Sequence, residues 1–463
     1  FRNMLFFLWT ILWYYFCLVG FAFVTTASLI LLGTGWGSLP RRYLETVLHI
    51  QGLFAGSDGS EPDEVPWISE IKDKSKCVLS RTQSTVTAAD MQFQFDIDKE
   101  NIFSVFDVGL DFATSGFQAV VQDEVSGMFG YSPSYLQFEL TYDVWEHIRS
   151  NILLKSLYVA SLGFRYGFLF PVRLCLLSSS FAFAAFWCVV VLFRDLPNPR
   201  KTWIAVVYCR LFCAGIGLIA NYHNQSKKPT RPGIAVANHL SPNDIQIICT
   251  DVDPNREYLY TVTGQKHTGI IWAIERLVER LCPSLWFDRA NMKDRKDFIE
   301  LITNEGKKAG PVLLFPEGYC TNNTRVLQFR KAIFVDDIII HPIAIKQDAR
   351  FGDVYWSEDL FYHYMIRLLS SWASVYDVYY LDSQTKKSDE TSDEFASRIQ
   401  TMIAEAIGTT PASFDGSVWY KKQEREKYKN ALKEKCANQV SEIIPTLETP
   451  NNYIKKTPIF STN

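Results

Sequence analysis

The chain has 463 residues, of which 48% are hydrophobic and 14% aromatic, which is enough for two or three domains with a large core. The net charge is −3, but residues 41–150 carry −10 and residues 151–463 carry +6. This mild basic bias suits anionic small molecules or lipid headgroups, and no motif indicates nucleic-acid binding. The ten cysteines include no CxxC pair, so we expect free thiols and neither a disulfide framework nor a metal site.

The N-terminal segment is apolar enough to enter a membrane. No charged residue occurs between Asn3 and Pro40, and Met4–Leu32 is almost wholly apolar. A bilayer core needs about 20 apolar residues in a helix, whereas the apolar part of a signal peptide has only about 7–15. We therefore predict a membrane anchor over residues 1–40.

A second apolar run, Leu174–Phe193, has 20 residues and an arginine at each end, which makes about 30 Å of helix. The competing interpretation is a buried core helix, which the length and the flanking charges disfavour. The next apolar stretch, Trp203–Ala220, contains Arg210, and an arginine inside a membrane is costly. For residues 166–221 we therefore predict a membrane segment followed by an interfacial or partly buried helix.

Residues 41–165 are acidic and polar. The segment Gly56–Glu64 is rich in turn-forming residues, and Ile102–Gly109 and Leu136–Ile148 look more structured. Nothing in this region carries recognisable chemistry. We expect a polar region with some helices.

The pattern changes at about Pro229 to alternating strands and helices, which predicts an α/β domain over residues 222–410, with a mixed sheet covered by helices. The predicted strands are Gly233–Ala237, Tyr258–Thr263, Leu285–Phe287, Pro311–Phe315, Ile338–Lys346 and Val375–Leu381. The predicted helices are Asn243–Thr250, Gly269–Leu281, Lys293–Glu305, Leu360–Leu369 and Ser392–Ala406. A charged helix, Trp419–Ala437, and a polar tail complete residues 411–463.

The first chemical motif, Asn238-His239-Leu240-Ser241-Pro242-Asn243-Asp244, lies between a predicted strand and a predicted helix. A neutral histidine can take the proton of an attacking alcohol, and a carboxylate on its other ring nitrogen fixes the tautomer. A separation of five residues across a turn can bring His239 and Asp244 together. The competing interpretation is a helix start, with Ser241 as N-cap, Pro242 at the first helical position and Asp244 at N3.

Three further motifs follow. Leu314-Phe315-Pro316-Glu317-Gly318 is either an ordinary turn or a rim of donors beside the first motif. In Trp286-Phe287-Asp288-Arg289, the arginine either clamps a phosphate or forms a surface ion pair. His341-Pro342-Ile343-Ala344-Ile345 is a strand with proline near its start, which by itself favours plain core over a site.

In this order and spacing, the four motifs resemble the glycerolipid acyltransferase family, whose blocks are NHxxxxD, a block with Phe and Arg, FPEG, and a strand containing Pro. The chain is most similar to the endoplasmic-reticulum glycerol-3-phosphate acyltransferases of types three and four. The segments that carry this resemblance are VANHLSPND, LCPSLWFDRANMKDR, LLFPEGYCTNNT, HPIAIKQDARFGDVYW and SSWASVYDVYYL. Weaker similarity extends it over most of the chain, up to about residue 435.

The resemblance implies an acyltransferase domain in which His239 is the general base and Asp244 its partner. It also implies that the site of the acceptor glycerol phosphate is lined by Arg289, Lys293, Glu317 and Gly318. Pro342 is expected on the side of the acyl chain. Because a thioester is already activated, the alcohol can attack it directly, and no enzyme nucleophile, metal or cofactor is needed beyond the co-substrate acyl-CoA. Backbone donors near the helix that starts at Pro242 are expected to stabilise an oxyanion or a phosphate.

The resemblance also implies the partners and the location. The expected reaction transfers an acyl group to the sn-1 hydroxyl of glycerol 3-phosphate and gives lysophosphatidate. The expected location is the endoplasmic-reticulum membrane, with the catalytic domain facing the cytosol. Residues 41–173 are luminal if both apolar runs span once, and cytosolic if the first is re-entrant. Glycosylation of the sequon Asn322-Asn323-Thr324 would contradict a cytosolic site.

The chain departs from the family at two positions: Tyr319 replaces a threonine, and Ala332 follows Lys331 where the family has glycine. Cys320 stands where many lysophosphatidate acyltransferases have arginine, which favours glycerol 3-phosphate as the acceptor. Two alternatives stay open. One is an acyltransferase that acts on lysophosphatidate or another lysophospholipid, and the other is a degenerate membrane binding protein of the same fold.

Overall fold

A computed structural model describes most of the chain. The described residues are 2–55, 124–132, 148–256, 258–265, 276, 279–287, 292–357, 360–431 and 434. They belong to two compact units: Phe1–Ser60 with Tyr131–Ser413, and Glu61–Gly130 with Phe414–Asn463. The domain boundaries predicted from the sequence stay predictions.

Helices and strands alternate through the first unit. The helices of both units are α1 Arg2–Leu31, α2 Leu39–Ala55, α3 Glu124–Met128, α4 Ile152–Phe164, α5 Phe170–Phe193, α6 Asn198–Gly215, α7 Asp244–Thr250, α8 Met292–Lys308, α9 Phe361–Ser370, α10 Ser392–Ile407 and α11 Ser417–Tyr420. The strands are β1 Leu218–His223, β2 Ile234–Ala237, β3 Thr261–Gln265, β4 Ser284–Phe287, β5 Val312–Leu314, β6 Arg325–Val326, β7 Ile340–Asp348, β8 Ser374–Tyr380 and β9 Thr410–Pro411. A π-helical turn, Arg165–Leu169, joins α4 to α5.

Seven strands form one mixed sheet in the order β1-β8-β7-β2-β5-β3-β4. All neighbours are parallel except β7 and β8. Helices cover both faces: α6, α7 and α9 pack on one, and α8 and α10 on the other. The predicted α/β fold with a mixed sheet is confirmed. Because β2, β4, β5 and β7 run in one direction, their carboxyl ends meet at one edge, where open α/β sheets bind ligands.

Two helical segments of the described chain, Leu5–Leu31 and Ile152–Phe193, are long and apolar enough to cross a membrane. Large side chains of α1 face outward, and Phe6, for example, is 73% exposed. One side of α1 packs on α5 and α6, and Val19 shares a buried cluster with Val172 and Val207. Monomeric soluble proteins rarely expose so large an apolar surface, which favours contact with a membrane. The two helical segments also coincide in the chain with the two predicted membrane segments.

The apolar helix is attached to the sheet domain by arginines. Arg173 is buried and donates hydrogen bonds to the carbonyls of Ser371 and Trp372 at 2.6 Å each. Arg165 donates to the carbonyl of Ser370 at 2.7 Å. These carbonyls lie at the carboxyl end of α9, where a helix leaves acceptors unsatisfied and favours positive charge. The two arginines therefore cap α9 and fix the apolar helix against it.

Helix α2 also packs against the sheet domain. The Tyr43 hydroxyl donates to the carbonyl of Trp372 at 2.8 Å, and the Gln51 amide donates to the carbonyl of Arg350 at 2.9 Å. Val47 is buried in the same contact. Helix α2, which follows the first apolar run, therefore contacts the sheet domain. The second apolar run contacts the same domain.

The prediction of one helix over Trp203–Ala220 is wrong at its end. Helix α6 stops at Gly215, and β1 begins at Leu218 as a sheet strand parallel to β8. Gly217 between them has φ +72°, and a Cβ there would lie 2.5 Å from the guanidinium of Arg173. Only glycine adopts this conformation without strain and leaves room for the arginine.

Other predicted elements agree with the structure within a few residues. Strand β3 begins at Thr261, three residues after the predicted start at Tyr258. Most of the predicted helix Gly269–Leu281 lies outside the described residues, as do Gly56–Glu64, Ile102–Gly109 and nearly all of Leu136–Ile148. In the second unit, residues 422–431 are helical, within the predicted charged helix.

Candidate active site

His239 and Asp244 are in contact immediately after β2. The Asp244 carboxylate is completely buried and lies 2.9 Å from Nδ1 of His239. The contact predicted from their five-residue separation is confirmed. Because this carboxylate accepts the Nδ1 proton, the neutral ring presents Nε2 as its proton acceptor, a tautomer assigned from the hydrogen bond.

The same carboxylate organises the turn that leads into α7. Asp244 accepts hydrogen bonds from the amides of Leu240 at 2.7 Å and Ser241 at 3.0 Å, and from the Ser241 hydroxyl at 3.1 Å. The Ser241 hydroxyl in turn accepts from the amide of Asn243 at 3.2 Å. The helix begins at Asp244 after Asn243, which makes no side-chain cap hydrogen bond, so the predicted N-cap at Ser241 and position N3 for Asp244 are wrong. Ser241 and Asp244 still bond to each other as in a capping box. One side chain thus makes the contacts expected under both of the interpretations that the sequence left open.

These contacts limit where an oxyanion can be bound. The amides of Leu240, Ser241 and Asn243 are already paired with side-chain oxygens. These three donors before the helix are therefore engaged. The amides in the first turn of α7 are the donors left for an oxyanion or a phosphate there, and that part of the prediction stays a prediction.

The Pro-Glu-Gly turn after β5 encloses His239. The ring of Phe315 stacks on the imidazole with centroids 4.4 Å apart. Glu317 accepts a hydrogen bond from the amide of His239 at 3.3 Å and from that of Leu327 at 3.2 Å. The amide of Thr321 donates to the carbonyl of His239 at 2.9 Å. The second motif thus holds the main chain of the first on both sides.

Glu317 is completely buried, and burial raises the pKa of its carboxyl to about 8, although the nearby imidazole and the two amides oppose that rise. Its oxygens contact main-chain amides in the interior of the turn. This geometry makes Glu317 a positioning residue. Its predicted place in the lining of the acceptor site stays a prediction.

Gly318 follows with φ +70°, and a Cβ there would lie 3.0 Å from the guanidinium carbon of Arg330. That guanidinium lies 5.7 Å from the ring centroid of Tyr319. Arg330 is thus a cation at the rim of the turn, and the sequence analysis gave it no role. Ala332 lies in a 3₁₀ turn without positive φ, so alanine replaces the family glycine there without backbone strain.

Asn238 positions the histidine, a function that the sequence analysis missed. Its buried amide donates to the carbonyl of Ile345 at 2.8 Å and accepts from the amide of Ile345 at 2.7 Å. The backbone pairing of β2 with β7 ends at Ala237 and Ile343. Asn238 therefore extends the sheet by one side-chain pair and fixes the direction in which His239 leaves it. An asparagine directly after a buried strand was the available signal.

The electrostatics of His239 come from close neighbours. Burial lowers the pKa of its imidazole, but the contacts with Cys320 and with Asp244 outweigh burial and raise that pKa well above the usual value. Cys320 lies in the same turn as Glu317 and is partly exposed. These neighbours therefore stabilise the imidazolium, which is the form that a histidine base reaches after it has received the proton of an alcohol.

The remaining predicted residues lie apart from this cluster or outside the description. Pro342 is buried in β7, level with Val236, and the antiparallel pairing of β7 with β8 begins only after it. Arg289 lies outside the described residues, and Lys293 is described only as backbone in α8. The predicted roles of these three residues stay predictions.

The chain was compared with known proteins. The family model described as Acyltransferase matches residues 219–346. This segment starts within β1 and includes the motif around His239, the Pro-Glu-Gly turn and most of β7. A solved structure, the 1-acyl-sn-glycerophosphate (LPA) acyltransferase of Thermotoga maritima, matches 51% of this chain and 95% of its own at 14% identity, with a TM-score of 0.37.

Other relatives match more of the chain. Glycerol-3-phosphate acyltransferase 3 of Xenopus laevis is 34% identical over 358 residues, 75% of this chain and 76% of the relative. The human protein of the same name is 33% identical over 72% of this chain and 76% of its own. Glycerol-3-phosphate acyltransferase 4 of Mus musculus is 32% identical over 75% of both. Together with the two apolar helices, these matches indicate a membrane-associated enzyme. The chain belongs to the family of glycerol-3-phosphate acyltransferases 3 and 4.

Proposed function

We propose that this protein transfers an acyl group from acyl-CoA to the sn-1 hydroxyl of glycerol 3-phosphate and releases lysophosphatidate and CoA. The observation that carries the proposal is the 2.9 Å contact between His239 Nδ1 and the buried carboxylate of Asp244 at the carboxyl end of β2. The names of the relatives support the acceptor. The proposed reaction uses no metal and no cofactor.

In the proposed mechanism, Nε2 of His239 takes the proton of the attacking hydroxyl. A carbon–oxygen bond forms at the thioester carbonyl, the carbon–sulfur bond breaks, and the proton passes to the leaving thiolate. Asp244 holds the ring in one orientation and stabilises the imidazolium that forms. Phe315 supports one face of the ring, which leaves Nε2 in a fixed position.

We further propose that Arg289 and Lys293 bind the phosphate of the acceptor. Both follow β4, whose carboxyl end lies at the same edge of the sheet as His239. Arginine can hold a phosphate through two parallel hydrogen bonds, which suits a small dianion. Arg330, beside Gly318, adds positive charge at the rim.

The proposed location is the endoplasmic-reticulum membrane, with the catalytic unit in the cytosol, where acyl-CoA is available. Because α2 contacts the sheet domain through Tyr43 and Gln51, we place α2 on the cytosolic side as well. Asn322 of the sequon is 2% exposed, and its side-chain oxygen accepts hydrogen bonds from Thr324. A buried asparagine in this position is a poor glycosylation acceptor in the folded protein.

The test uses purified full-length protein with labelled acyl-CoA, and offers glycerol 3-phosphate and lysophosphatidate in separate reactions. We expect turnover on glycerol 3-phosphate to exceed turnover on lysophosphatidate. Preference for lysophosphatidate would replace the acceptor in the proposal, and no transfer to either would support a binding protein of this fold.

A substitution tests the phosphate site separately. Arg289→Lys should raise the KM for glycerol 3-phosphate about tenfold, because lysine cannot form the bidentate contact, and should leave the KM for acyl-CoA unchanged. Arg276→Lys is the matched control, since Arg276 is an exposed arginine that pairs with Glu279. Equal effects of Arg289→Lys on both substrates would assign Arg289 another role.

A further inference from the structure

A basic cavity lies on the first unit, lined by none of the residues that contact His239. Its volume is about 340 Å³, and its lining includes Arg165, Arg350, Arg367 and Gln51. These residues come from the π turn, the segment after β7, α9 and α2. No acidic side chain is among its lining residues. The cavity therefore provides three guanidinium groups in a space large enough for a lipid headgroup.

The arginines are held in place by other contacts. Arg165 lies 5.6 Å from the ring of Trp372, and its Nε donates to a carbonyl at the end of α9. Arg350 pairs with Asp348 at 2.7 Å, so part of its charge is compensated. Arg367 donates to main-chain carbonyls of the segment after β7. Arg165 keeps its terminal nitrogens without hydrogen-bond partners among the described residues, so it is the main donor to an anion here.

Gln51 adds a second feature that points to a ligand. Its side chain is 7% exposed, and Nε2 donates to the carbonyl of Arg350, which fixes the orientation of the amide. The amide oxygen is then a buried acceptor without a hydrogen-bond partner among the described residues. Buried acceptors are normally satisfied, so the oxygen is available to a donor on a bound molecule. A hydroxyl group on a bound molecule is such a donor.

The surroundings of the cavity indicate a lipid. Arg165 and Tyr166 lie about one third of the way along the 42-residue apolar segment Ile152–Phe193. On the other wall, α9 exposes Phe361 (47%), Tyr362 (56%) and Ile366 (47%). Aromatic and arginine side chains beside an exposed apolar surface are typical of the level of lipid headgroups. A π turn within a helix is also often found at functional sites.

We propose that this cavity binds the headgroup of an anionic phospholipid that carries a hydroxyl next to its phosphate. Arg165 donates to the phosphate, with His363 and the other two arginines around it, and Gln51 accepts from the hydroxyl. The acyl chains lie along the apolar surface of α9 and the π turn. This site is separate from the site of acyl transfer.

The experiment measures the Kd of short-chain lipids for the full-length protein in neutral detergent, by microscale thermophoresis. Dioctanoyl phosphatidylglycerol has the phosphate and hydroxyls, dioctanoyl phosphatidylmethanol has the same charge without a hydroxyl, and dioctanoyl phosphatidylcholine has no net charge. We expect affinity to fall in that order. Arg165→Gln should weaken phosphatidylglycerol binding about tenfold, because a charge-assisted hydrogen bond to the phosphate is lost. Gln51→Leu should abolish the difference between the first two lipids.

Lys227→Gln removes a partly exposed charge that pairs with Asp382 and should bind like wild type. If Arg165→Gln does not fold, His363→Gln replaces it, because His363 is an exposed side chain of the lining, and a several-fold loss is expected. Equal affinity for phosphatidylglycerol and phosphatidylcholine, or wild-type affinity in the folded variant, overturns the proposal. Displacement of the lipid by soluble glycerol 3-phosphate or inorganic phosphate would assign the cavity to a free phosphate and overturn the lipid assignment.

Discussion

Two histidines on neighbouring strands of the sheet have opposite environments. His239 follows the carboxyl end of β2, contacts the carboxylate of Asp244, and has a raised pKa. His341 lies near the start of β7 and is 2% exposed, with its ring nitrogens bonded to the Ser383 hydroxyl and the carbonyl of Pro232. Burial lowers the pKa of His341, and the hydrogen bond to Pro232 opposes that effect only in part.

Because the side chain is the same, the two histidines differ only in their hydrogen-bond partners and in their exposure to solvent. A carboxylate favours the imidazolium, and 19% exposure of the His239 side chain leaves a path for a substrate. A hydroxyl and a carbonyl satisfy His341 in the neutral form and hold it in the interior. The comparison predicts that one histidine serves catalysis and that the other serves stability.

The largest expected effect separates these roles directly. His239→Ala should lower kcat by about 10²–10⁴, the usual loss of a general base, in a protein that stays folded. His341→Ala should keep kcat per folded molecule and lower the free energy of unfolding by about 2 kcal/mol, because a buried side chain and its hydrogen bonds are lost. Acyl transfer and thermal unfolding are measured on both purified variants. Near-normal turnover in His239→Ala would contradict its role as the base.

Asp244→Asn tests the partner that distinguishes the two sites. Asparagine has one acceptor oxygen, whereas Asp244 accepts from His239, from two amides and from the Ser241 hydroxyl. We expect a loss of at least about 10²-fold in kcat, because the ring loses its tautomer and charge partner, together with a lower Tm.

The control for this variant is Asp377→Asn. Asp377, in the middle of β8, forms a more exposed contact at 2.8 Å with His223, the last residue of β1. The substitution Asp377→Asn should change neither kcat nor Tm appreciably, because exposed ion pairs contribute little to stability. Loss of Tm with normal turnover in Asp244→Asn would make its carboxylate a structural cap alone.

The contributions of the two histidines to stability should also depend on pH in opposite ways. A raised folded pKa, as in His239, gives stability that is present below the unfolded pKa of about 6.5 and is lost as pH rises through the folded value. A lowered folded pKa, as in His341, gives stability that is present above about 6.5 and is lost as pH falls below it.

Thermal unfolding of wild type and both alanine variants between pH 5 and 9 measures this contrast. The Tm difference between wild type and His341→Ala should shrink at pH 5, and the contribution of His239 should shrink toward pH 9. The same pH trend in both variants would show that the two rings do not differ in the way that their partners indicate.

The sequence predicts this contrast only in part. His239 and Asp244 could be paired from their spacing because a turn after a strand is local, and the mixed sheet followed from alternating elements. Strand β1 was missed because the apolar pattern runs on from α6 past Gly215, and only the sheet partner β8 shows that a strand follows. The clamp of Asn238 on Ile345 joins residues more than 100 positions apart, which a single sequence does not reveal.

Glu317 shows the same limit at the site itself. Its motif correctly indicated a turn beside the histidine, but the direction of the side chain depends on tertiary packing. The carboxylate lies inside the turn on the amides of His239 and Leu327. Residue type and order therefore predicted which segments meet, and the structure was needed to separate residues that can contact a substrate from those that position them.

The smallest expected effect concerns the rim of the His239 site, where the chain departs from its family. The ring of Tyr319 lies under the guanidinium of Arg330 at 5.7 Å, beside Gly318. Tyr319→Thr removes this cation–π contact, which contributes about 0.5–1 kcal/mol at exposed sites, and frees the guanidinium to move. We expect a change of about two- to fivefold in the KM for the acceptor, with kcat and the KM for acyl-CoA unchanged, because His239 and its partner are intact.

Arg330→Gln provides the companion measurement. If Arg330 contributes charge to the acceptor site, Arg330→Gln raises the acceptor KM, and adding Tyr319→Thr to it has no further effect, since the two side chains act as one unit. Additive effects of the two substitutions would show that tyrosine contacts the acceptor by itself. A fall in kcat in Tyr319→Thr would show that the ring of Tyr319 also positions His239. The rim would then belong to the surroundings that distinguish His239 from His341.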